Sequence, residues 1–296
     1  MISVRKAAPE MVKDAGRRAY VLAGTATAGL RLQPDFIMIG AQRCGTTSLF
    51  RALLAHPQVI RPTFHKGVNY FDLNYFRSAH WYRGHFPIAG LAARRTARYG
   101  GAVVFEASGY YVYHPFALER IAHDMPSVKL VVMLRDPVER AFSAYKHELA
   151  RGFEWESFEK ALDLEDSRLA GEIDRMRADP HYESVAHRHH SYRHRGHYAE
   201  QLERAFRLFP REQVHVIDSE AFFAEPAREY ERVLAFLGLR PFQPGAFERY
   251  NARPGTGLEP GTRRMLTEYY RAHDARLTGL LGREPRWTQR ARMNGA

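Results

Sequence analysis

Asp35-Phe36-Ile37-Met38-Ile39-Gly40-Ala41-Gln42-Arg43-Cys44-Gly45-Thr46-Thr47-Ser48 is the stretch on which the reading of the fold turns. Residues 35–40 are an apolar run closed by glycine, as expected of a strand buried on both faces. Thr46 to Ala55 then has helical spacing, and His56-Pro57 stops it. Between strand and helix, Gly40 and Gly45 let the backbone curl so that its N–H groups converge. The helix start adds a partial positive charge, and Thr46, Thr47 and Ser48 add hydroxyls. The expected product is a cradle for a phosphate-like anion. Its spacing, Gly then four residues then Gly, is that of a nucleotide-binding Walker loop. Thr46 stands where that loop needs lysine, and Arg43 places the cation inside the loop instead. A kinase or NTPase built on this loop would lack the lysine that reaches the β- and γ-phosphates.

Outward from the loop, further buried strands are expected at Ala102 to Glu106, Val128 to Leu134 and Gln213 to Asp218. Helices are expected over Val138 to Ala150 (opened by Pro137), near Tyr198 to Phe209, and over Ala227 to Leu237. Strands alternating with helices predict an α/β fold with a mainly parallel sheet flanked by helices. Ligands of such sheets bind beyond the carboxyl ends of strands, which selects the loops Gly40 to Thr47, Glu106 to Tyr113 and Arg135 to Arg140.

The formal net charge of +11 over 296 residues suggests an anionic partner. A single cysteine, Cys44, excludes a disulfide within the chain and a multi-cysteine zinc site, and fits a cytoplasmic location. No run approaches the roughly 20 apolar residues that span a bilayer. Ala19 to Leu30, after Arg17 and Arg18, reads as part of an N-terminal helical arm covering 1–33 rather than as a twin-arginine signal. The domain proper is expected over 34–296, with a mobile lid at 165–197. Within that lid, His181 to His197 holds six of the fifteen histidines together with Arg188, Arg193 and Arg195. It reads as solvated basic surface over the site, its spacing matching no standard zinc pattern. A basic nucleic-acid-binding protein is a rival reading, but no RNA- or DNA-binding module is visible, so no nucleic-acid partner is expected.

Gly40 to Thr47 resembles the 5′-phosphosulfate loop of sulfotransferases that use 3′-phosphoadenosine 5′-phosphosulfate (PAPS). Phe50 to Val59 is similar to the helix and His-Pro stop that follow it. Val131 to Tyr145 is similar to the family's 3′-phosphate segment, with Arg135 closing a strand and Ser143 eight residues later on a helix. An arginine fork beside a hydroxyl is a good phosphate site. Lys66 to Asp72, Trp81 to Pro87 and Phe105 to Tyr111 extend the resemblance to the group that includes heparan sulfate and bacterial enzymes. The resemblance departs at Arg43 (often Lys), Gly67 (often a catalytic Glu), Asn69 (often His) and Ala107 (often Lys).

The resemblance implies a single P-loop-like domain that moves a sulfuryl group from PAPS to a hydroxyl or amine of a carbohydrate, lipid or small-molecule acceptor. It assigns cofactor binding to Gln42, Arg43, Cys44, Gly45, Thr46, Thr47, Ser48, Arg135 and Ser143. Arg43 is expected to meet charge on the leaving oxygen, and Lys66 to neutralise the sulfuryl oxygens. No metal is expected, these cations supplying the charge that Mg²⁺ gives a kinase. With Gly67 in place of the usual Glu, Glu106 at the end of its strand is the leading candidate for general base, then His65, then Asp72.

Overall fold

The computed structural model describes residues 10–63, 65–248, 250 and 257–289. The first nine residues of the expected arm and the last seven of the domain lie outside the described residues. Among the described residues the strands are β1 (Phe36–Gly40), β2 (Val59–Ile60), β3 (Val103–Ala107), β4 (Lys129–Leu134) and β5 (Val214–Asp218). They form one sheet in the order β2-β3-β1-β4-β5, with every pairing parallel. The principal helices are α1 (Glu10–Ala26), α2 (Thr46–Ala55), α3 (Pro137–Ala150), α4 (Val185–His189), α5 (Tyr198–Leu208), α6 (Pro226–Leu237) and α7 (Pro260–Leu281).

All five residues of β1 are buried, because the strand is central and covered on both faces. Phe36 pairs in register with Phe105 of β3, and their rings stack with centroids 4.7 Å apart. From β1 the chain runs to one side for β2 and β3, then to the other for β4 and β5. The crevice where that direction reverses lies at the carboxyl end of β1, beside the loops that leave β3 and β4.

The four strands expected from the sequence are present within a residue or two of their expected ends, and α2 spans the expected residues. The two-residue β2 and the long α7 were not anticipated. β2 is too short to show a period, and α7 has its polar residues spread around most of its circumference. The N-terminal arm is tied to the domain: Arg31 donates to the Phe86 carbonyl at 2.6 Å, and the Leu32 amide donates to the Pro87 carbonyl at 3.0 Å. No helix among the described residues is long and apolar enough to cross a membrane.

Candidate active site

Gly45 caps α2 in the left-handed conformation, at φ 86°. A Cβ there would come within 2.8 Å of the Phe223 ring, so the turn admits only glycine without rearrangement. Cys44 is buried, and its Sγ lies 3.7 Å from the Tyr198 hydroxyl. Burial pushes the thiol up to about 11, so this residue offers the cradle only its backbone. The Ser48 hydroxyl is also buried and accepts a hydrogen bond from the Tyr250 amide at 3.1 Å. Thr46 points the other way: Lys66 Nζ donates to its Oγ1 at 3.0 Å. Burial lowers the Lys66 ammonium to about 8, a state that an incoming anion would reverse.

The second expected anion site converges on the first. Asp136 caps α3, its Oδ1 accepting from the Val138 amide at 2.9 Å and the Glu139 amide at 3.4 Å. Two turns later Ser143 accepts from Arg43 Nε at 3.1 Å. Arg135, at the end of β4, lies 3.5 Å from the Arg43 carbonyl and pairs with Glu139 at 3.5 Å. The sequence reading set Arg43 at the leaving oxygen of the phosphosulfate, Lys66 at the sulfuryl oxygens, and Arg135 with Ser143 at the 3′-phosphate. Here all three form one cluster, and Lys66 with Thr46 forms the other.

Beside the loop opens a cleft of about 570 Å³, whose lining includes Gln42, His65, Lys66, Asn69, Arg188 and His189. Glu106 is not in that lining. It is wholly buried, and three donors close its carboxylate: the Val68 amide (2.7 Å), the Tyr82 hydroxyl (2.7 Å) and the Tyr111 hydroxyl (3.1 Å). Burial raises it to about 7, against the pull of these hydrogen bonds. The expectation that Glu106 faces the site is therefore corrected: its carboxylate pins the segment after Lys66 onto β3. Asp72 is likewise buried, accepting from Asn69, Ser108 and its neighbour's amide. Gly67 packs so closely on β3 that a Cβ would lie 2.4 Å from the Ala107 carbonyl oxygen. No glutamate fits there without moving the backbone.

A Walker-like loop without its lysine is set beside an arginine–serine pair at the next strand end, and residues 33–252 match the sulfotransferase domain family. This chain belongs to that family. It is 27% identical over 278 residues to the mouse bifunctional heparan sulfate N-deacetylase/N-sulfotransferase 4, with 84% of this chain and 30% of that protein covered. It is 32% identical over 213 residues to mouse heparan sulfate glucosamine 3-O-sulfotransferase 3B1, covering 72% of this chain and 48% of that one. The chain thus spans 30% to 48% of the length of these two relatives. Among solved structures, a sulfotransferase from Alicyclobacillus acidocaldarius superposes with a TM-score of 0.64 at 32% identity, covering 86% of this chain and 97% of that one.

The far wall of the sulfotransferase cleft departs from its sequence reading. His181 to His197 was expected to be solvated basic surface. Instead His187, His189, His190 and Arg195 are buried, in and after α4. The physical reason is that each of these side chains finds a polar partner, although Arg195 Nε is buried without one. His187 shares a hydrogen bond with the Tyr110 hydroxyl at 2.7 Å, and burial followed by the Arg195 charge pushes it down to about 2, keeping it neutral. His190 Nε2 lies 2.7 Å from the Phe153 carbonyl oxygen. Arg195 donates to the Gln42 side-chain oxygen and stacks over Tyr110 and Tyr113, 4.9 Å from each ring centroid. It anchors the wall to the loop after β1.

His189 and Glu148 were missed by sequence reasoning. His189 Nδ1 is 2.9 Å from Glu148 Oε2, and the imidazole stacks on Phe153 with centroids 4.0 Å apart. Burial alone would raise Glu148, but the His189 and Arg151 partners hold it below the ordinary carboxylate range. An ionised Glu148 accepts a hydrogen bond from Nδ1–H, which in the neutral imidazole leaves the lone pair on Nε2. The two residues are 41 positions apart, so no sequence spacing signals the pair.

Proposed function

We propose that this sulfotransferase transfers the sulfuryl group of PAPS to a hydroxyl or amine of a carbohydrate acceptor. The carrying observation is the Lys66–Thr46 contact, which sets a cation and a hydroxyl between the phosphate cradle and the cleft. The cradle suits a phosphosulfate end, having converging amides, a helix start and no room for a side chain at Gly45. Arg43, Arg135 and Ser143 form a compact site for a second phosphate. The carbohydrate reading is supported by the heparan sulfate relatives and by a cleft rim that carries Arg151 and Arg188.

When bound, PAPS supplies the electrophilic sulfur and leaves as adenosine 3′,5′-bisphosphate. Lys66 and the loop amides stabilise negative charge as it grows toward the phosphate. His189, held by Glu148, accepts the proton of the attacking group through Nε2. Glu106 keeps the Lys66 segment in register and touches no reacting atom.

The test is a mass-shift assay with PAPS and a panel of unsulfated and partly sulfated oligosaccharides, alongside melting curves with adenosine 3′,5′-bisphosphate. Transfer to a sugar and a raised Tm without added metal are expected. A larger shift with ATP and Mg²⁺, or none at millimolar bisphosphate, overturns the donor assignment. Transfer only to phenols or lipids overturns the acceptor class.

A further inference from the structure

Away from the cleft, where the His-rich wall meets the C-terminal helix, three metal-ligating side chains from two distant segments come together. His197 caps the start of α5, Glu200 lies one turn on, and His273 comes from the middle of α7. One ligand atom from each lies within 4.8 Å of those of the other two. His197 Nδ1 is 4.0 Å from Glu200 Oε1, too far for a hydrogen bond. Ligands bound at 2.0–2.1 Å in a tetrahedron stand about 3.4 Å apart, so binding draws the three ligand atoms together by side-chain rotation. The imidazoles of His197 and His273 are stacked face to face, centroids 3.9 Å apart and 6° from parallel, so one ring swings out of the stack for both to direct a nitrogen at the same ion.

The surroundings favour an ion over a simple polar cluster. The other ring nitrogen of His197, Nε2, is 2.8 Å from the Tyr269 hydroxyl. Such an outer partner orients a ligating imidazole and leaves Nδ1 for the metal. Glu200 is half exposed and only loosely engaged: Arg276 comes no closer than 3.8 Å and makes its short contacts with Glu203 instead. His194 is already committed to Asp166 at 2.9 Å and is not needed as a ligand.

We propose that His197, Glu200 and His273 form a binding site for a divalent transition metal, zinc by donor chemistry, clamping α5 to α7. Two imidazoles and one carboxylate match zinc and its borderline neighbours rather than Mg²⁺ or Ca²⁺, which favour all-oxygen sites. Three protein ligands leave a coordination position for water. The clamp sits next to Gly196, which packs against Tyr270 of α7, and two residues from Arg195, which reaches the phosphate loop. The proposal is independent of the sulfuryl-transfer reading, and its test does not use activity.

The experiment titrates untagged, chelator-treated protein with Co²⁺ and then Zn²⁺, following visible ligand-field absorption, calorimetry and Tm. One equivalent of Co²⁺ is expected to give an absorption band that Zn²⁺ displaces, and saturating Zn²⁺ should raise Tm by about 4 °C. His273→Gln should abolish the band and the Tm shift. Glu200→Gln, at an exposed position that tolerates change, should weaken binding about tenfold, which keeps the test sound if His273→Gln folds poorly. Absence of a stoichiometric Co²⁺ band in the unaltered protein, or Co²⁺ affinity unchanged in both variants, overturns the proposal.

Discussion

The two walls of the cleft are built by different means. The loop wall, from β1 through α2, is continuous in the chain: strand, turn and helix start are consecutive, and short-range backbone bonds such as Ser48 N to the Gly45 carbonyl at 2.9 Å shape the turn, while its side chains reach out to Ser143, Lys66 and Tyr250. The opposite wall is assembled from afar. His189 depends on Glu148, Arg195 reaches back to Gln42, and Tyr110 receives His187. Local construction suits a group that every donor molecule shares, since backbone amides and a helix start recognise any phosphate. Long-range construction suits the acceptor, because side chains on separate elements can be exchanged without disturbing the cradle.

The division can be broken by mutation. The largest effect is expected at the junction of the walls: Lys66→Ala should cut single-turnover rate at saturating PAPS by about 100- to 1000-fold, with bisphosphate affinity falling far less. Equal losses in binding and rate would place Lys66 wholly on the donor side. On the far wall, His189→Asn should lower the chemical step roughly 100-fold and leave bisphosphate binding nearly intact, with Glu148→Gln a smaller loss in the same direction. If His65→Asn carries that loss and His189→Asn does not, proton transfer belongs to the loop side.

Glu106→Gln sharpens the contrast by testing structure without chemistry. The amide has one acceptor oxygen where the carboxylate uses two, so its NH2 must face either the Val68 N–H or the Tyr82 and Tyr111 hydroxyls, and stability should fall by about 1–3 kcal/mol while turnover changes only a few-fold. Because the folded protein holds the Glu106 proton up to about 7, this group's contribution is full below its ordinary value of 4.5 and is lost as pH rises through 7. Denaturant melts at pH 4.5 and 8 should show a pH-dependent loss in the parent that is reduced in the variant. A turnover collapse in Glu106→Gln would instead restore it as the base.

The smallest effect is a pH slope. Lys66 titrates near 8 in the free protein and is expected to rise toward its ordinary value beside bound phosphate. Bisphosphate affinity should therefore be constant below about pH 8 and fall by at most tenfold per unit above it. Proton uptake near pH 8.5, read from buffer-dependent binding enthalpies, checks this; a flat profile would mean that Lys66 stays clear of the nucleotide.

Much of this was legible in the chain. The buried run at Asp35 to Gly40, the α2 spacing and the Arg135-to-Ser143 interval depend on a continuous apolar stretch and the helical period of 3.6, both set by near neighbours in the chain. So the parallel α/β sheet, the glycine-bounded loop after β1 and the placing of Arg135 and Ser143 beside it were readable before any contact was known. What only the tertiary structure decided are facing directions and partners. Glu106 ends the expected strand, yet its carboxylate turns into a tyrosine-lined interior rather than the cleft. Arg43 leaves the loop toward Ser143, 100 residues away. The six histidines of residues 181–197 look solvated by composition, yet half of them are buried because Tyr110, Glu148 and the Phe153 carbonyl wait for them. A sequence specifies local period and charge, but whether a polar group is costly or stabilising in the interior depends on a partner whose position only the packed chain determines.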